Sequence, residues 1–182
     1  MVFMRPLILI ISFLLAGEAW GQIAATNNGL ISFRSDAPLE LITASSKEMK
    51  GRIDLKRRLF AFSVKMNSFK GFNSPLQREH FNENYVESDL YPDATFSGKI
   101  IEEVDLTLDG SHSIRAKGNL TIHGVSQERI IKSDVMVKNG RISIHAAFTV
   151  LLSDHNIPVP KVVHEKLASE IKLEVKADLI QQ

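Results

Sequence analysis

Six histidines are the residues best suited to metal binding in this chain of 182 residues, because the sequence contains no cysteine. They are His80, His112, His123, His145, His155 and His164. None of them forms a His-x-His, His-x-x-x-His or His-Glu-x-x-His pair, the spacings that present two imidazoles to one ion. The sequence therefore predicts no metal site. We expect His123 to shape a turn beside Gly124, and His145 to lie on the polar face of a strand.

Nucleophilic catalysis has equally little support in the sequence. The absence of cysteine removes thiol nucleophiles, disulfides and iron–sulfur ligands. No serine lies in a Gly-x-Ser-x-Gly nucleophile elbow, and no glycine-rich phosphate loop is present. A hydrolase that uses histidine and aspartate stays one hypothesis, because a triad can be assembled from residues that are distant in sequence. The sequence predicts no cofactor.

A segment from Arg78 to Tyr91 concentrates charged and aromatic residues. Two roles for it are compatible with the sequence. It can form a lid in which Phe81, Tyr85 and Tyr91 contact a ligand while Arg78 meets a polar head group. It can also be a structural cap, with Phe81 closing the core and Arg78 paired with a carboxylate.

The N-terminus has the pattern of a secretory signal peptide over residues 1–21. A basic residue precedes an apolar run from Leu7 to Ala16, and Ala19-Trp20-Gly21 forms a small-x-small cleavage site. The run is shorter than the roughly 20 apolar residues that a membrane-spanning helix needs. We therefore expect cleavage before Gln22, one mature domain over residues 22–182, and a periplasmic or secreted location.

The composition is that of an ordinary globular domain. Hydrophobic residues make up 44% of the chain, which is too much for a disordered protein, and the formal net charge is only +1. Such a small charge excess gives no reason to expect binding to nucleic acid or polybasic binding to a membrane. The chain is long enough to bury a sizeable core without disulfides.

Alternation of polar and apolar residues with a period of two dominates the chain from residue 30 onward and predicts about eight strands. The clearest alternating segments are 30–35, 60–66, 96–100, 114–122, 131–137, 142–152 and 171–179. The inward face of the first segment is uncertain. A further strand begins at residues 39–43 and resumes at residues 53–55, after a polar interruption over residues 45–50. Tight turns are predicted at Asp109-Gly110, His123-Gly124 and Asn139-Gly140.

A long antiparallel sheet of this kind usually closes on itself, because closure removes the exposed edge strands. We therefore predict an all-β fold, a single antiparallel eight-stranded lipocalin-like barrel with one or two short helices. One helix is expected at residues 75–86, opened by Ser74 and Pro75. Helical spacing of apolar residues also occurs within residues 158–169.

The inward face of the predicted barrel includes several small residues: Gly98, Ala116, Gly118, Ala146 and Ala177. Small inward residues can leave room for a ligand inside an eight-stranded barrel. They can equally fit the taper of a barrel that is filled by its own side chains. The pattern alone does not decide between these two interpretations.

Three sequence motifs together resemble those of the YceI-like family. They are Gln77-Arg78-Glu79-His80-Phe81, Tyr91-Pro92-Asp93-Ala94-Thr95-Phe96, and Gly118-Asn119-Leu120-Thr121-Ile122-His123-Gly124-Val125-Ser126. The resemblance extends from about Asn28 to about Leu179 and departs from the family at Leu152-Ser153-Asp154-His155-Asn156. It implies a bacterial secreted or periplasmic protein whose extended lipocalin-like barrel encloses a long isoprenoid or acyl chain in a hydrophobic tunnel.

These observations favour a non-catalytic exported carrier that binds a polyisoprenoid, an isoprenoid quinone or a fatty-acyl lipid by burial. The expected ligand-binding residues are Phe60, Phe62, Met66, Phe81, Tyr85, Tyr91, Phe96, Ile114, Leu120, Ile144, Phe148 and Leu173. Two alternatives stay open: a structural or interaction module of the cell envelope with a filled barrel, and the hydrolase described above. The expected partner is a long-chain lipid, and the sequence also allows a homodimer.

Overall fold

Eight antiparallel strands close into one barrel in the computed structural model, which describes residues 23–182. The strands are β1 (Ile23–Asp36), β2 (Leu41–Asp54), β3 (Leu59–Lys65), β4 (Asp93–Ile100), β5 (Gly110–Ile122), β6 (Val125–Lys138), β7 (Arg141–Leu151) and β8 (Glu170–Gln181). Each strand pairs with its neighbours in sequence, and β1 pairs with β8 to close the sheet. The predicted barrel is confirmed. The predicted signal peptide, residues 1–21, and its cleavage before Gln22 lie outside the described residues.

The two ends of the barrel differ in their connections. The end that we call the upper end carries the segments 37–40, 66–92, 123–124 and 152–169. The lower end carries the segments 55–58, 101–109 and 139–140. Long, partly apolar connections are therefore concentrated mainly at the upper end.

The lower end is closed by densely packed side chains. Four of the most completely buried aliphatic residues lie there, at the ends of β4, β6, β7 and β8: Ile100, Val137, Ile142 and Leu179. Leu106, from the connection over residues 101–109, is 98% buried beside them. The barrel thus has a filled floor, and any space for a ligand has to lie above it.

β1 and β2 contain bulges that change which residues point inward. The pairing register between the two strands shifts on both sides of Gly29. Ile31 follows the bulge and is buried, which shows which face of β1 points inward. In β2, Ala44 and Met49 are both buried although they lie an odd number of residues apart, which an unbroken alternation forbids. The predicted interruption over residues 45–50 is therefore wrong, because these residues continue the strand through a bulge.

Two of the three predicted tight turns are confirmed. The φ angles are +51° at His123 and +70° at Gly124, and +51° at Asn139 and +74° at Gly140, as a type I′ hairpin turn requires. The predicted turn at Asp109-Gly110 is wrong. Gly110 begins β5, and a longer connection over residues 101–109 joins it to β4, because this connection places Leu106 in the packed floor.

The first predicted helix is confirmed. Helix α1 spans Pro75–His80 and continues as a π-helical turn over Phe81–Tyr85. Ser74 caps the helix, because its hydroxyl oxygen accepts a hydrogen bond of 3.1 Å from the backbone N–H of Gln77. The helix and its continuation place Phe81 and Tyr85 over the upper end of the barrel.

The segment over residues 158–169 does not form the second helix. It contains a single 3₁₀ turn, Lys161–Val163. Pro158 and Pro160 lack the N–H groups that a helix needs and disfavour helical backbone in the preceding residues. Val162 is 89% exposed, so the apolar residues of this segment do not form a buried stripe.

The two inward glycines serve the backbone rather than the interior space. Gly98 and Gly118 face each other across β4 and β5. A Cβ added to Gly98 would overlap the carbonyl oxygen of Lys117, and one added to Gly118 would overlap that of Ser97. These two glycines therefore allow the close approach of two strands, and neither lines a cavity.

Candidate functional site

The middle of the barrel is not filled. Several apolar side chains point inward there and yet are only partly buried, in contrast to the floor. They are Phe62, Ala94, Phe96, Ile122, Ile144, Leu173 and Val175. A close-packed interior would bury such residues completely. Their partial exposure therefore marks an empty space inside the barrel.

The lower part of this space is a cavity of about 120 Å³ directly above the floor. Eight of the predicted binding residues line it: Phe60, Phe62, Phe96, Ile114, Leu120, Ile144, Phe148 and Leu173. Three of the phenylalanines pack against one another, with ring centroids 6.2 Å apart for Phe60 and Phe62 and 4.8 Å apart for Phe60 and Phe96. Alternation in β3 and β4 places these rings on one inward face.

The upper part of the space is a second cavity, of about 140 Å³, below the connections of the upper end. Four of the predicted binding residues line it: Met66, Phe81, Tyr85 and Leu173. Phe81 belongs to a cluster of four phenylalanines. Its ring centroid lies 5.5 Å from that of Phe33, 5.9 Å from that of Phe69 and 5.1 Å from that of Phe72.

The two cavities adjoin along the barrel axis. Five side chains from five strands line both of them: Ile31, Val64, Ala94, Ile122 and Leu173. We call these five residues the junction. A long molecule that filled both cavities would pass between these five side chains. The smallest of the five is that of Ala94.

Tyr91 is the one predicted binding residue that lines neither cavity. Its ring packs edge-on against His123, with ring centroids 4.7 Å apart, and covers Gly124 closely enough to exclude a Cβ there. The prediction that Tyr91 contacts a ligand in the barrel is therefore not supported, because the turn between β5 and β6 occupies its ring.

His123 is held by hydrogen bonds on both ring nitrogens. Its Nδ1 lies 3.1 Å from the carbonyl oxygen of His155, and its Nε2 lies 2.5 Å from Oε2 of Glu87. A carbonyl only accepts, so Nδ1 donates to it. Neither nitrogen is left to take a proton from a nucleophile. His123 thus ties three parts of the upper end together, consistent with its predicted role at the turn.

Arg78 lies outside both cavities as well. Its guanidinium donates a hydrogen bond of 3.0 Å to the carbonyl oxygen of Asn67. Within residues 23–182 Arg78 forms no ion pair, so the carboxylate partner of the structural-cap interpretation is wrong. Glu79 is exposed on the same helix.

Several lining residues were not predicted. Ile31 and Phe33 were missed because the bulge in β1 conceals which face of the strand points inward. Phe69 and Phe72 lie in the irregular connection after β3, where no periodicity marks an inward position. Their aromatic character next to an apolar strand is the one signal that could have identified them.

Charge is confined to the outside of the barrel. Within residues 23–182, no charged side chain lines either cavity. On the outer face, Arg115 donates hydrogen bonds to Glu102 from its backbone N–H at 2.6 Å and from Nε at 2.7 Å. These bonds, the backbone one first, lower the pKa of Glu102 below its usual value. The cavities therefore suit an uncharged, apolar molecule.

The described residues contain no group of three or more histidine, cysteine, aspartate or glutamate side chains that could hold a metal ion. In the same part of the chain, no helix has the length and apolar character required to cross a membrane.

The architecture and the sequence agree with one known protein family. The family model for the YceI-like domain matches residues 25–179. The chain belongs to the YceI-like family. No curated protein matches the sequence.

Several solved structures share the fold of this YceI-like protein. A polyisoprenoid binding domain from Saccharophagus degradans matches with a TM-score of 0.74 at 13% identity, covering 88% of this chain and 99% of its own. BcnA from Burkholderia cenocepacia matches with a TM-score of 0.68 at 15% identity, covering 83% and 95%. The YceI protein of Campylobacter jejuni matches with a TM-score of 0.59 at 16% identity, covering 76% and 84%.

Proposed function

We propose that this YceI-like protein is a non-catalytic carrier that encloses the chain of a polyisoprenoid, an isoprenoid quinone or a fatty-acyl lipid. The observation that carries the proposal is the pair of adjoining apolar cavities inside the barrel. Together they have a volume of about 260 Å³, with five residues common to both linings. Their linings are almost entirely hydrocarbon, so shape and burial would determine what binds.

The energetic cost of unfilled apolar cavities favours a bound ligand. Cavities in protein cores cost about 24 cal/mol per Å³, so a void of this size would cost about 6 kcal/mol. Domains of ordinary stability have only about 5–15 kcal/mol in total. An apolar cavity of about 150 Å³ stays dry, and each of these two cavities is no larger than that. A barrel whose only role was structural would gain stability if larger side chains filled this space.

The chemistry of the lining defines the class of ligand. Hydrocarbon buried in the barrel contributes about 0.8 kcal/mol per methylene, which supplies affinity without any specific polar contact. A charged head group would stay outside, because burying an unpaired charge is costly. The Saccharophagus degradans domain of the same fold is named as polyisoprenoid binding, which agrees with this class.

We further propose that the protein acts outside the cytoplasm, in the periplasm or after secretion. The proposal rests on the signal-peptide pattern of residues 1–21, with residues 22–182 as the mature domain. Mass spectrometry of the N-terminus of the protein recovered from the envelope fraction of its host tests it. The expected N-terminal residue is Gln22, and an intact Met1 would overturn the proposal.

Native mass spectrometry with lipid extraction tests the carrier function. The protein is purified from its own host without detergent, and the bound mass is identified after denaturation. We expect one long-chain apolar molecule per protein. A protein that is consistently empty, and that also fails to take up isoprenoid quinones and fatty acids in vitro, would overturn the proposal.

A further inference from the structure

The hydroxyl of Ser133 faces the lower cavity of the barrel. The inward face of β6 runs through Ile131, Ser133 and Val135, which are all buried, and Ser133 lines the lower cavity. Ser133 is only 8% exposed. Within residues 23–182, its hydroxyl forms no hydrogen bond. Buried polar groups without a partner are uncommon in proteins and often have a functional role.

The other polar residues of the lower cavity direct their side chains elsewhere. Ser63 follows the inward Phe62 in β3. Thr95 precedes the inward Phe96 in β4. Neighbouring residues of a strand point to opposite faces of the sheet, so both hydroxyls point to the outer face of the barrel. In the described part of the chain, Ser133 therefore supplies the one side-chain hydroxyl inside this cavity.

The polar residues of the upper cavity have different surroundings. Ser35 is fully buried, but its hydroxyl oxygen accepts a hydrogen bond of 2.9 Å from the backbone N–H of Ala168. Gln77 and Tyr85 are only partly buried. The unpartnered, buried hydroxyl is thus a feature of the lower cavity.

The neighbours of Ser133 on the adjacent strands cannot act as its hydrogen-bond partners. Ser133 pairs with Ile114 of β5 and with Ala146 of β7, and both residues line the same cavity with hydrocarbon side chains. The single methyl group of Ala146 leaves space beside the hydroxyl. A buried water molecule needs about two to four polar partners, which the surrounding side chains do not provide. The partner that fits this site is an oxygen atom of a bound molecule.

The size and the aromatic wall of the lower cavity suit a six-membered ring. Its volume is about 120 Å³, and an apolar cavity of about 150 Å³ can hold benzene. Four phenylalanines contribute to the wall: Phe60, Phe62, Phe96 and Phe148. Aromatic side chains pack favourably against another ring in offset or edge-on contacts. A ring that carries an uncharged oxygen would match both the aromatic wall and the Ser133 hydroxyl.

We propose that Ser133 is a specificity-determining residue, which forms a hydrogen bond to an uncharged oxygen on a ring at the buried end of the carried lipid. The ring lies in the lower cavity, and the aliphatic chain extends through the junction into the upper cavity. A lipid that fills the lower cavity with hydrocarbon alone leaves the hydroxyl unpaired and binds less well for that reason. The inference rests on the proposed carrier function, because it gives the orientation and the chemistry of the carried molecule.

Two ligands that differ by one hydroxyl group test this role. Displacement of the neutral fluorescent probe N-phenyl-1-naphthylamine gives the Kd of 4-octylphenol and the Kd of octylbenzene. In S133A the ratio of the two values should shift about tenfold against 4-octylphenol, because one hydrogen bond is lost. The Kd of octylbenzene should not rise in S133A. The variant S133T keeps a hydroxyl at this position and should keep most of the wild-type ratio.

Ser113 provides a matched control. It is exposed on the outer face of β5, next to Ile114, the residue that pairs with Ser133. The variant S113A should have the wild-type ratio of the two Kd values. An unchanged ratio in folded S133A, an equal loss of affinity for both ligands, or the same shift in S113A would overturn the role of Ser133.

NOEs from the ring protons of bound 4-octylphenol test the orientation. We expect them at the methyl groups of Ile114 and Ala146 in the lower cavity, and not at Ile157, which lines the upper cavity alone. Ring NOEs to Ile157 without any to Ile114 would overturn the proposal. A wild type that binds both ligands, with a ratio that S133A leaves unchanged, contradicts this inference alone. A wild type that binds neither ligand, nor hexadecanoic acid, contradicts the carrier function itself.

Discussion

Ala94 has the smallest side chain of the five junction residues between the two cavities. It points inward from β4, faces Val64 of β3 and lines both cavities. Replacement by phenylalanine would place a ring where the wild type has a methyl group. The substitution A94F should therefore separate the upper cavity from the lower one while the floor and the upper end stay unchanged.

The length of the space sets the expected effect. From Ile144 in the lower cavity to Leu152 in the upper one the chain advances eight residues. At about 3.3 Å per residue and a strand tilt of about 40°, this is roughly 20 Å along the barrel axis. An extended alkyl chain with carbon–carbon bonds of about 1.5 Å would place about 15 methylenes in that length.

A blocked junction would exclude about half of those methylenes. At about 0.8 kcal/mol per methylene, the loss of seven would cost up to about 6 kcal/mol. The displaced half of the chain can still contact apolar side chains of the upper end. We therefore expect a smaller loss for hexadecanoic acid, about 100-fold in Kd, or about 3 kcal/mol.

Isothermal titration calorimetry with hexadecanoic and octanoic acids measures this effect. The shorter acid fits into one cavity, so its affinity should change little in A94F. Ala61 offers a control, because it is exposed on the outer face of β3, next to β4. A61F should bind both acids as the wild type does. Overpacking can cost about 1–3 kcal/mol, so thermal unfolding must confirm that A94F is folded.

Unchanged binding of hexadecanoic acid by folded A94F would refute the reasoning. In that case the lipid chain would not pass the junction, and one cavity alone would hold it. An equal loss of affinity for both acids would also contradict it, because the substitution would then act on the barrel as a whole.

Three further predictions concern the stability of the barrel. His123→Ala removes two hydrogen bonds at the upper end. We expect urea titrations to show a free energy of unfolding that is lower by about 2–4 kcal/mol. Ordinary surface substitutions change it by about ±0.5 kcal/mol, so a loss below about 0.5 kcal/mol would contradict this role of His123. Gly98→Ala should lower the free energy of unfolding more than Gly140→Ala does, because only the new Cβ at position 98 would overlap the neighbouring strand. Gly140→Ala should lower it by about 1 kcal/mol, because residue 140 has a positive φ. The Glu102 carboxyl should titrate below its usual pKa of 4.5, so its contribution to stability is complete above that pH and is lost as the pH falls through the lower folded-state pKa. Carboxyl NMR of Arg115→Gln should show only part of this lowering removed, because the backbone hydrogen bond from residue 115 persists; a return to 4.5 would contradict the order of the two causes.

The strands were predictable because each exposes one face to water. Ile131 to Val137 in β6 and Ile142 to Val150 in β7 alternate without interruption, and the Asn139-Gly140 turn between them has the φ angles that its sequence predicts. Period-two alternation failed at the bulges of β1 and β2. The pairing register shifts around Gly29 there. Residues 45–50 continue β2, although their polar composition does not indicate a strand.

The cavity lining was predictable on the regular strands and at Phe81 and Tyr85, the aromatic residues of the helical segment. Phe60 and Phe148 were found from alternation, whereas Phe69 and Phe72 lie in an irregular connection, where side-chain direction depends on tertiary contacts. The presence of a void could not be predicted either. Ala146 lines the lower cavity, but Gly98 only permits strand approach. Composition does not distinguish these two uses of a small residue.

Methyl NMR of the loaded protein tests the central claim, that a lipid chain occupies the barrel interior. The protein carries ¹³C-labelled isoleucine, leucine and valine methyl groups, and the bound fatty acid or quinone is unlabelled. We predict intermolecular NOEs from the lipid chain to the methyl groups of Ile31, Ile144 and Leu173, and none to Leu108 at the lower end. NOEs confined to exposed methyl groups, with the three interior residues unaffected, would contradict the account.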